Sequence, residues 1–258
     1  MNRLMLSAKI FAPPLAASGI FISAAFVSIY ALNYDWQWDR VPGFIISRDG
    51  AFSAGPLLRG LAVTLQISAV SMIFAVILGL VSALLRLSGS FTGRIVSYIY
   101  IESIRNTPLI VQIFVMYFAV APLFNIGAFG SAVTALSLFE GAYISEIIRA
   151  GIVSIRRGQW EAAMSLGMGR MQVYRYIILP QAVRRVLPPL TGQGVSLIKD
   201  SALVSTISIY DLTMRGQSIV SDTFLTFEIW FTVAAMYLCL TVSLSFLSGC
   251  IEKRVNVH

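Results

Sequence analysis

The stretch EAAMSLGMGRMQVYRYIILP, residues 161–180, decides how this chain is organised. It is one of the few long polar stretches in a very apolar sequence. It predicts a short helix over residues 159–166, a break at Gly167-Met168-Gly169, and a second helix that ends at Leu179-Pro180. Glycine tolerates a positive φ in such a turn, and proline cannot continue a helix without losing a hydrogen bond. Small side chains beside methionines favour close approach by another protein, so we expect a docking element.

Composition places the chain in a membrane. Of its 258 residues, 57% are hydrophobic and only 12% are charged, whereas soluble domains carry about 25% charged residues. The formal net charge of +7 raises the possibility of nucleic-acid binding. However, the lysines and arginines lie in short loops between apolar runs, which is typical of the cytoplasmic side of membrane segments. Nucleic acid is therefore not the expected partner.

The chain lacks the residues that catalysis, metal binding or nucleotide binding would need. Its only histidine is His258, and no GxxxxGK[ST] loop is present to cradle phosphates. We expect no catalytic residue, no metal site and no cofactor, so ATP would have to be bound by a separate subunit. Cys239 and Cys250 share one apolar segment and would lie about 16 Å apart on a straight helix, too far for a disulfide. They are interpreted as buried apolar residues.

Six apolar segments are long enough to cross a bilayer, which needs about 20 residues. They are Leu15–Leu32, Gly60–Leu85, Ile95–Ala121, Ile126–Ile148, Val186–Ile209 and Phe224–Cys250. Residues 149–185 contain seven arginines and one acid, Glu161, which predicts a cytoplasmic loop. Six spans then leave both termini in the cytoplasm, and the tryptophan-containing loop 33–59 faces outside. A cleaved signal peptide with a site near Ser23-Ala24-Ala25 is the alternative for the first segment, but its apolar core is longer than such peptides usually have.

The central stretch and its flanks resemble a known family. Glu161-Ala162-Ala163, Gly167, Ile177 and Leu179-Pro180 are similar in type and spacing to the EAA signature of ATP-binding-cassette (ABC) importer permeases. The flanks resemble the branch that imports polar amino acids: Glu102 to Leu109, Gly141-Ala142-Tyr143, Glu146, Ile147, Arg149-Ala150-Gly151, Gly158-Gln159, Gln181-Ala182, Pro188-Pro189-Leu190 and Lys199-Asp200. The resemblance covers roughly residues 60 to 250.

The resemblance implies an all-α membrane protein of about six transmembrane helices with a cytoplasmic coupling helix. Residues 60–250 would be the five-helix permease domain, with a coupling loop at 149–185. Residues 1–59 would add an N-terminal helix and outer loop, and residues 251–258 a cytoplasmic tail. The residues implied to contact the ATPase are Glu161, Ala162, Ala163, Ser165, Leu166, Gly167, Met168 and Gly169.

The resemblance also implies partners and a location. Such a permease works in the bacterial inner membrane as a dimer with a second copy or a related permease. It pairs with an ABC ATPase subunit inside and a periplasmic substrate-binding protein outside. ATP-driven closure of the ATPases would pass through the coupling loop and switch the path between outward and inward access.

Polar residues inside the spans mark a substrate path, because ionisable groups in a membrane usually face protein or water. The candidates are Arg105, Gln112, Glu140, Lys199 and Asp200. Glu140 lies mid-span and would either attract a substrate ammonium group or bond to a neighbouring helix. Glu102 and Arg105 could pair, since they are three residues apart. Either both residues only fix the cytoplasmic end of their helix, or Arg105 faces the permeation path. Glu146 and Arg149 are interpreted as a structural pair at the inner end of their span.

Three points stay open at the level of sequence. After Lys199-Asp200 the family usually has Thr-Ser-Leu, whereas this chain has Ser201-Ala202-Leu203, a departure that bears on the substrate class and not on the fold. A stand-alone secondary transporter or channel is the alternative function, and a membrane enzyme is disfavoured by the absence of a nucleophile–base pair. The sequence also does not identify the amino acid or distinguish a homodimer from a heterodimer.

Overall fold

The computed structural model describes residues 34–47 and 53–256. The first predicted span, Leu15–Leu32, lies outside these residues. The chain divides into two compact units, residues 1–39 and 40–258. In the described part of the first unit, the Trp36 ring stacks on that of Trp38 at 5.8 Å. The second unit holds almost all the described helices and every predicted site residue.

The second unit is built from helices and one very short ribbon. After a 3₁₀ turn, Trp38–Arg40, the helices are α1 Val41–Ile45, α2 Pro56–Leu87, α3 Phe91–Arg105, α4 Leu109–Phe114, α5 Ala121–Phe124, α6 Ala128–Val153, α7 Arg157–Ser165, α8 Arg170–Gln172, α9 Leu179–Asp200, α10 Leu212–Thr223 and α11 Thr226–Asn256. Two π-helical turns, Val115–Val120 and Val173–Ile178, join α4 to α5 and α8 to α9. A 3₁₀ segment, Ser201–Ile207, follows α9. Strands β1 Ile46–Ser47 and β2 Ser53–Ala54 pair antiparallel. The all-α membrane class is confirmed.

Helices α2 and α6 form the centre of the fold through small residues. The buried face of α2 carries mainly serine, alanine and glycine, including Ser71, Ala75 and Gly79. Small residues let two backbones approach closely in a membrane, where van der Waals packing and hydrogen bonds drive association. The Ser137 hydroxyl of α6 donates to the Ser71 carbonyl of α2 at 3.2 Å. Helix α3 also packs against α6, and its Tyr100 hydroxyl donates a hydrogen bond to the Leu138 carbonyl at 2.7 Å.

We expect Gly79→Ala to destabilise this centre. A Cβ at Gly79 would lie 2.6 Å from Cγ2 of Ile144 and 3.0 Å from the Gly141 carbonyl oxygen. Overpacking of this kind costs about 1–3 kcal/mol. Gly192→Ala is the matched control, because a Cβ there meets nothing within 4 Å. Thermal unfolding of the two purified variants checks this, and an equal midpoint for Gly79→Ala and the wild type would contradict it.

Both π-helical turns lie where a proline follows within the same helix. Proline clashes with the carbonyl four residues earlier, which is Phe118 for Pro122 and Tyr176 for Pro180. Both carbonyls fall inside a π turn, where the wider i→i+5 spacing accommodates the missing donor. The prediction that the second loop helix ends at Leu179-Pro180 is therefore wrong. The helix continues through the proline into the fifth span.

The third predicted span is not one straight helix. Helix α3 and the segment Leu109–Phe124 meet at an angle of 108° around Asn106-Thr107-Pro108. Side chains bind the carbonyls freed at the break: the Gln112 amide donates to the Ile104 carbonyl at 2.7 Å, and the Asn106 amide donates to that of Glu102 at 2.8 Å. The break is thus a built feature of the fold.

Within the described ranges, three helices are long and apolar enough to cross a membrane: α2, α6 and residues 226–246 of α11. The bent pair around Pro108 would make a fourth span. Helix α9, which begins the fifth predicted span, has 22 residues and is not among these three helices. The count of six remains a prediction. Cys239 is exposed on α11, so the interpretation of it as buried is wrong, and the Cys250 side chain lies outside what the structure describes.

A buried polar cluster fixes α10 against α2 and α11. The Asp211 carboxylate is fully buried and accepts a hydrogen bond from the Met214 backbone N–H at 2.8 Å, which caps α10. The Leu212 N–H donates to the Thr64 hydroxyl at 3.1 Å, and the Tyr237 hydroxyl lies 3.5 Å from Asp211. Asp211 itself lies in the connection between α9 and α11, outside the candidate spans, and its cluster ties this connection to α2 and α11.

Asp211 should make stability depend on pH in an unusual direction. Burial raises the pKa of Asp211 from 3.8 to about 6. The folded protein therefore binds the proton more tightly than the unfolded chain, and the free energy of unfolding falls as pH rises through the interval between these two pKa values. A shift of this size corresponds to roughly 2–3 kcal/mol. Above about pH 6 the loss is complete.

Asp211→Asn tests this assignment. Asparagine caps a helix as well as aspartate, so we expect the variant to unfold at a higher temperature than the wild type at neutral pH. Its midpoint should also change less with pH in this interval. Asp211→Ala, which removes the cap, should be destabilised at both ends of the range. Identical pH profiles for Asp211→Asn and the wild type would contradict the assignment.

Candidate functional site

The predicted docking element is an exposed helix that ends in a left-handed turn. Helix α7 runs from Arg157 to Ser165, close to the predicted 159–166, and Gly167 follows it with φ of +78°. The Gly167 N–H donates to the Met164 carbonyl at 3.0 Å and the Met168 N–H to the Ala163 carbonyl at 3.2 Å. This is a Schellman motif, which glycine favours because it has no Cβ.

Only part of the predicted coupling set faces outward. Glu161, Ala162, Ser165, Leu166, Gly167 and Gly169 are exposed, and Leu166 is 83% exposed. An apolar side chain this open at the tip of a loop fits a partner surface. Glu161 forms an exposed ion pair with Arg157 at 3.3 Å, which contributes little to stability.

Ala163 faces inward, which corrects the expectation that it offers a small outer surface. It is only 5% exposed and packs with the buried residues Ile155, Val173, Ile178 and Ala182. Half-buried Met168 packs against the same cluster. Ala163 therefore holds α7 to the helix that leads into the membrane.

Several contacts connect α7 to the spans. The Trp160 ring meets that of Tyr174 edge-on at 4.8 Å. The Arg185 guanidinium donates to the Ser154 carbonyl at 2.6 Å, which ties α9 to the end of α6. A Cβ at Gly151 would lie 2.3 Å from Val186, so α6 and α9 are in close contact there. Helix α7 therefore packs against the segment that leads into α9, and α9 in turn packs against α6.

A charge cluster lies at the end of α6 that leads into this loop. Glu146 forms ion pairs with Arg86 of α2 and, at 3.0 Å, with Arg149. The Glu146–Arg149 pair predicted from sequence is thus confirmed, with a second arginine added. The predicted ion pair between Glu102 and Arg105 does not form. Glu102 accepts from the Asn106 amide at 2.9 Å, and the Arg105 guanidinium lies 5.3 Å from the Tyr143 ring.

Glu140 is the deepest charged group of the predicted path. It is fully buried in α6, and one carboxylate oxygen accepts a hydrogen bond from the Gln193 amide of α9. Its other oxygen, Oε1, has no hydrogen-bond donor among the described residues. Asp200, at the end of α9, lies close enough to Glu140 for the two carboxyl groups to interact electrostatically. Two acids thus meet between α6 and α9.

The remaining candidates are placed differently. Arg105 lies over Tyr143, one turn along α6 from Glu140. Gln112 is occupied at the helix break, where its amide donates to Ile104 and Thr107. Lys199 is exposed, whereas its neighbour Asp200 is half-buried. Gln193 was missed from sequence, although its position between Gly192 and Gly194 in an otherwise apolar stretch was a usable signal.

A separate cavity lies between α2, α9 and α11. It has a volume of about 430 Å³ and an apolar lining that includes Leu65, Met72 and Leu244. None of the predicted path residues lines it. The described residues also contain no group of three or more His, Cys, Asp or Glu side chains that could hold a metal ion. Among the predicted path residues, Glu140 and Asp200 are the two acids that the fold brings together.

Comparison with known proteins decides the family. Residues 75–257 match the family described as the binding-protein-dependent transport system inner membrane component. This chain belongs to that family. The permease therefore belongs to a class of transport proteins, and its curated relatives are transport permeases, not enzymes.

Two curated relatives align along most of the permease. It is 36% identical over 231 residues to the glutamine transport system permease protein GlnP of Escherichia coli K12, covering 88% of this chain and all of that protein. It is 40% identical over 207 residues to the L-cystine transport system permease protein TcyB of Bacillus subtilis, covering 78% and 87%.

Solved structures agree with this assignment. An amino acid ABC transporter crystallised with histidines aligns with a TM-score of 0.73 and 39% identity, covering 77% of this permease and 94% of that chain. The MetNI methionine ABC transporter aligns with a TM-score of 0.65 at 21% identity, which supports the fold alone. The permease is thus a membrane subunit of an ABC importer.

Proposed function

We propose that this permease forms the translocation path of an ATP-driven importer for polar amino acids, and that its path accepts a cationic group. The single observation that carries the cationic preference is the meeting of two acids, the buried Glu140 and Asp200, between α6 and α9. The relatives named for glutamine and cystine transport support amino acids as the substrate class.

The chemistry of the site favours a positively charged ligand. Buried charges are costly unless they are paired, and acids within membrane spans commonly mark a substrate pathway. Here two carboxyl groups face each other while the nearest described donor to Glu140 is the neutral Gln193 amide. A substrate ammonium or guanidinium group would supply the missing charge and hydrogen bonds. Gln193 would then release or share the carboxylate as the substrate enters.

The coupling surface consists of α7 and the turn that follows it. An ABC ATPase subunit would contact the exposed tip at Leu166 and Gly167. Ala163 and Trp160 would transmit its movement to α8 and α9. Because Gln193 and Asp200 lie on that same continuous helix, ATPase closure would change their distance from Glu140. The coupling surface and the substrate site are therefore joined by one element.

The assembly follows from the family. ABC importer permeases work with an ATPase and a periplasmic binding protein, and the family description names binding-protein dependence and the inner membrane. We propose that this chain is a multi-pass protein of the bacterial inner membrane, with residues 149–185 in the cytoplasm. It pairs with a second copy or a related permease, and residues 60–250 form the permease domain.

Reconstitution tests the function. Vesicles containing the permease and its ATPase should take up radiolabelled arginine or lysine only when ATP is inside and the binding protein is outside. The purified permease should also stimulate ATP turnover by the ATPase. ATP-independent uptake by the permease alone would indicate a stand-alone transporter or channel and overturn the proposal.

A further inference from the structure

The end of α6 is capped by a side chain from another helix. Helix α6 ends at Val153, and the last carbonyl groups of a helix have no partner within it. Arg185 of α9 supplies one, because its guanidinium donates to the Ser154 carbonyl at 2.6 Å and to the Ser154 hydroxyl at 2.8 Å. The helix dipole also favours a positive charge at this end. The ends of α6 and α9 nearest α7, here called their inner ends, are thus joined by residues 31 positions apart in sequence.

An apolar contact lies directly beside this cap. Val186 follows Arg185, and a Cβ at Gly151 would lie 2.3 Å from Cγ2 of Val186. The Ser154 hydroxyl in turn donates to the Gly151 carbonyl at 2.8 Å. Within the part of the chain that the structure describes, no acid forms an ion pair with Arg185, so the end of α6 is its partner. These four residues are here named the α6–α9 clamp: Gly151, Ser154, Arg185 and Val186.

The clamp lies between the coupling surface and the acid pair. Helix α7 packs through Ala163 on the segment that leads into α9, as far as Ala182. Arg185 follows Ala182 by three residues, which is about one helical turn, and fastens this segment to α6. Farther along the same two helices, Gln193 of α9 meets Glu140 of α6. Any movement that passes from α7 to the acid pair along α9 therefore passes the clamp.

We infer that Arg185 is a positioning residue for coupling, which keeps the inner ends of α6 and α9 at a fixed separation so that a movement of α7 is passed to both helices. This rests on the proposed function, in which α7 contacts the ATPase. With the inner ends held, the distance between Glu140 and Gln193 changes only when the two helices pivot about the clamp. Without Arg185, α9 would follow α7 while α6 lagged behind, and each ATP hydrolysed would import less substrate.

Loss of the Arg185 side chain should leave the fold intact. Both Arg185 and Ser154 are exposed, so the change leaves no buried charge unpaired. The apolar contact between Gly151 and Val186 stays, and charge interactions at the surface add little to global stability. A coupling role therefore predicts a transport defect at an unchanged unfolding temperature, whereas a purely structural role predicts a lower unfolding temperature.

Spin labels on the purified permease test the clamp without transport. Val153→Cys and Val183→Cys place labels on exposed positions of α6 and α9 close to the clamp, in a protein whose two native cysteines are replaced by alanine. We expect one narrow distance distribution, which broadens when Arg185→Gln is added. Arg94→Gln removes an exposed arginine from the first turn of α3 and should leave the distribution narrow. An unchanged distribution in Arg185→Gln overturns the inference.

Vesicles that also contain the ATPase test the coupling role. Arg185→Gln should lower the number of substrate molecules imported per ATP hydrolysed about fivefold, the factor expected for one hydrogen bond, while ATPase binding stays normal. Arg185→Lys keeps a charged donor and should recover part of the loss. Ser154→Ala removes one of the two acceptors, so it should have a smaller effect, and it should add nothing to the effect of Arg185→Gln.

The opposing outcomes are distinct. Normal import per ATP in Arg185→Gln, or an equal loss in Arg94→Gln, overturns the inference. Weaker ATPase binding in Arg185→Gln would assign this arginine to the ATPase contact, and a lower unfolding temperature would assign it to fold stability; either also overturns the inference. Absence of ATP-driven uptake by the wild type contradicts the proposed function instead, and the spin-label distances then still decide whether Arg185 holds the two helices together.

Discussion

Gly167→Asp is expected to abolish ATP-driven uptake while the permease still inserts and folds. Gly167 lies at the exposed tip after α7, and a Cβ there meets nothing within 4 Å, so the interior of the permease does not change. The positive φ of Gly167 adds backbone strain, which is smaller for aspartate than for most other residues. The main effect is an unpaired charge at the centre of the ATPase contact, which costs about 3 kcal/mol or roughly a hundredfold in affinity.

Two matched variants separate the effect of the negative charge from the effects of side-chain size and of position in the chain. Gly167→Asn has nearly the same size and the same tolerance of positive φ, and should bind the ATPase more tightly than Gly167→Asp. Gly89→Asp puts the same charge in the exposed turn between α2 and α3 and should behave like the wild type. A pull-down of the ATPase and an uptake assay on the same membranes measure both effects. Normal binding and uptake in Gly167→Asp would show that the α7 tip is not the coupling surface.

Glu140→Gln is expected to weaken uptake of cationic amino acids far more than that of neutral ones. Glutamine has the size of glutamate and can still accept the hydrogen bond from Gln193, so the α6–α9 contact is kept. Only the negative charge is lost. Removing one partner of a buried charge pair costs about 2 kcal/mol or more, which is at least about thirtyfold in apparent affinity.

A comparison of neutral and cationic substrates in the Glu140→Gln variant serves as an internal control. Uptake of glutamine should fall much less than uptake of arginine, both measured as apparent affinity in reconstituted vesicles. Glu102→Gln removes a carboxylate that accepts from Asn106 and should leave both substrates unaffected. Equal losses for arginine and glutamine in Glu140→Gln would assign Glu140 a packing role.

The sequence predicted the membrane class, the turn at Gly167 and the Glu146–Arg149 pair, because each depends on local pattern. Hydropathy identifies spans, glycine identifies a left-handed turn, and charges three residues apart meet on one helix. These relations need no knowledge of which helices are neighbours.

The features that the sequence did not predict depend on contacts between distant parts of the chain or on patterns with more than one meaning. Gln193 as the partner of Glu140, and Arg86 as the partner of Glu146, depend on contacts between helices far apart in sequence. Pro180 was taken as a helix end because a π-helical turn has no sequence signature beyond the proline itself. The orientation of Ala163 was missed because a small residue suits a buried contact as well as an open surface.

The unbroken helix from Arg170 through its π turn to Asp200 has a consequence for how this permease can change. Its 31 residues fix both the distance and the rotation between the coupling turn and the acid pair. One inserted residue anywhere along it would rotate everything beyond by about 100° and carry Gln193 and Asp200 away from Glu140. Loops elsewhere can gain or lose single residues, but this helix can change length only in steps close to whole turns. The length of this helix therefore sets how a movement at the coupling turn is converted into a movement of Gln193 and Asp200.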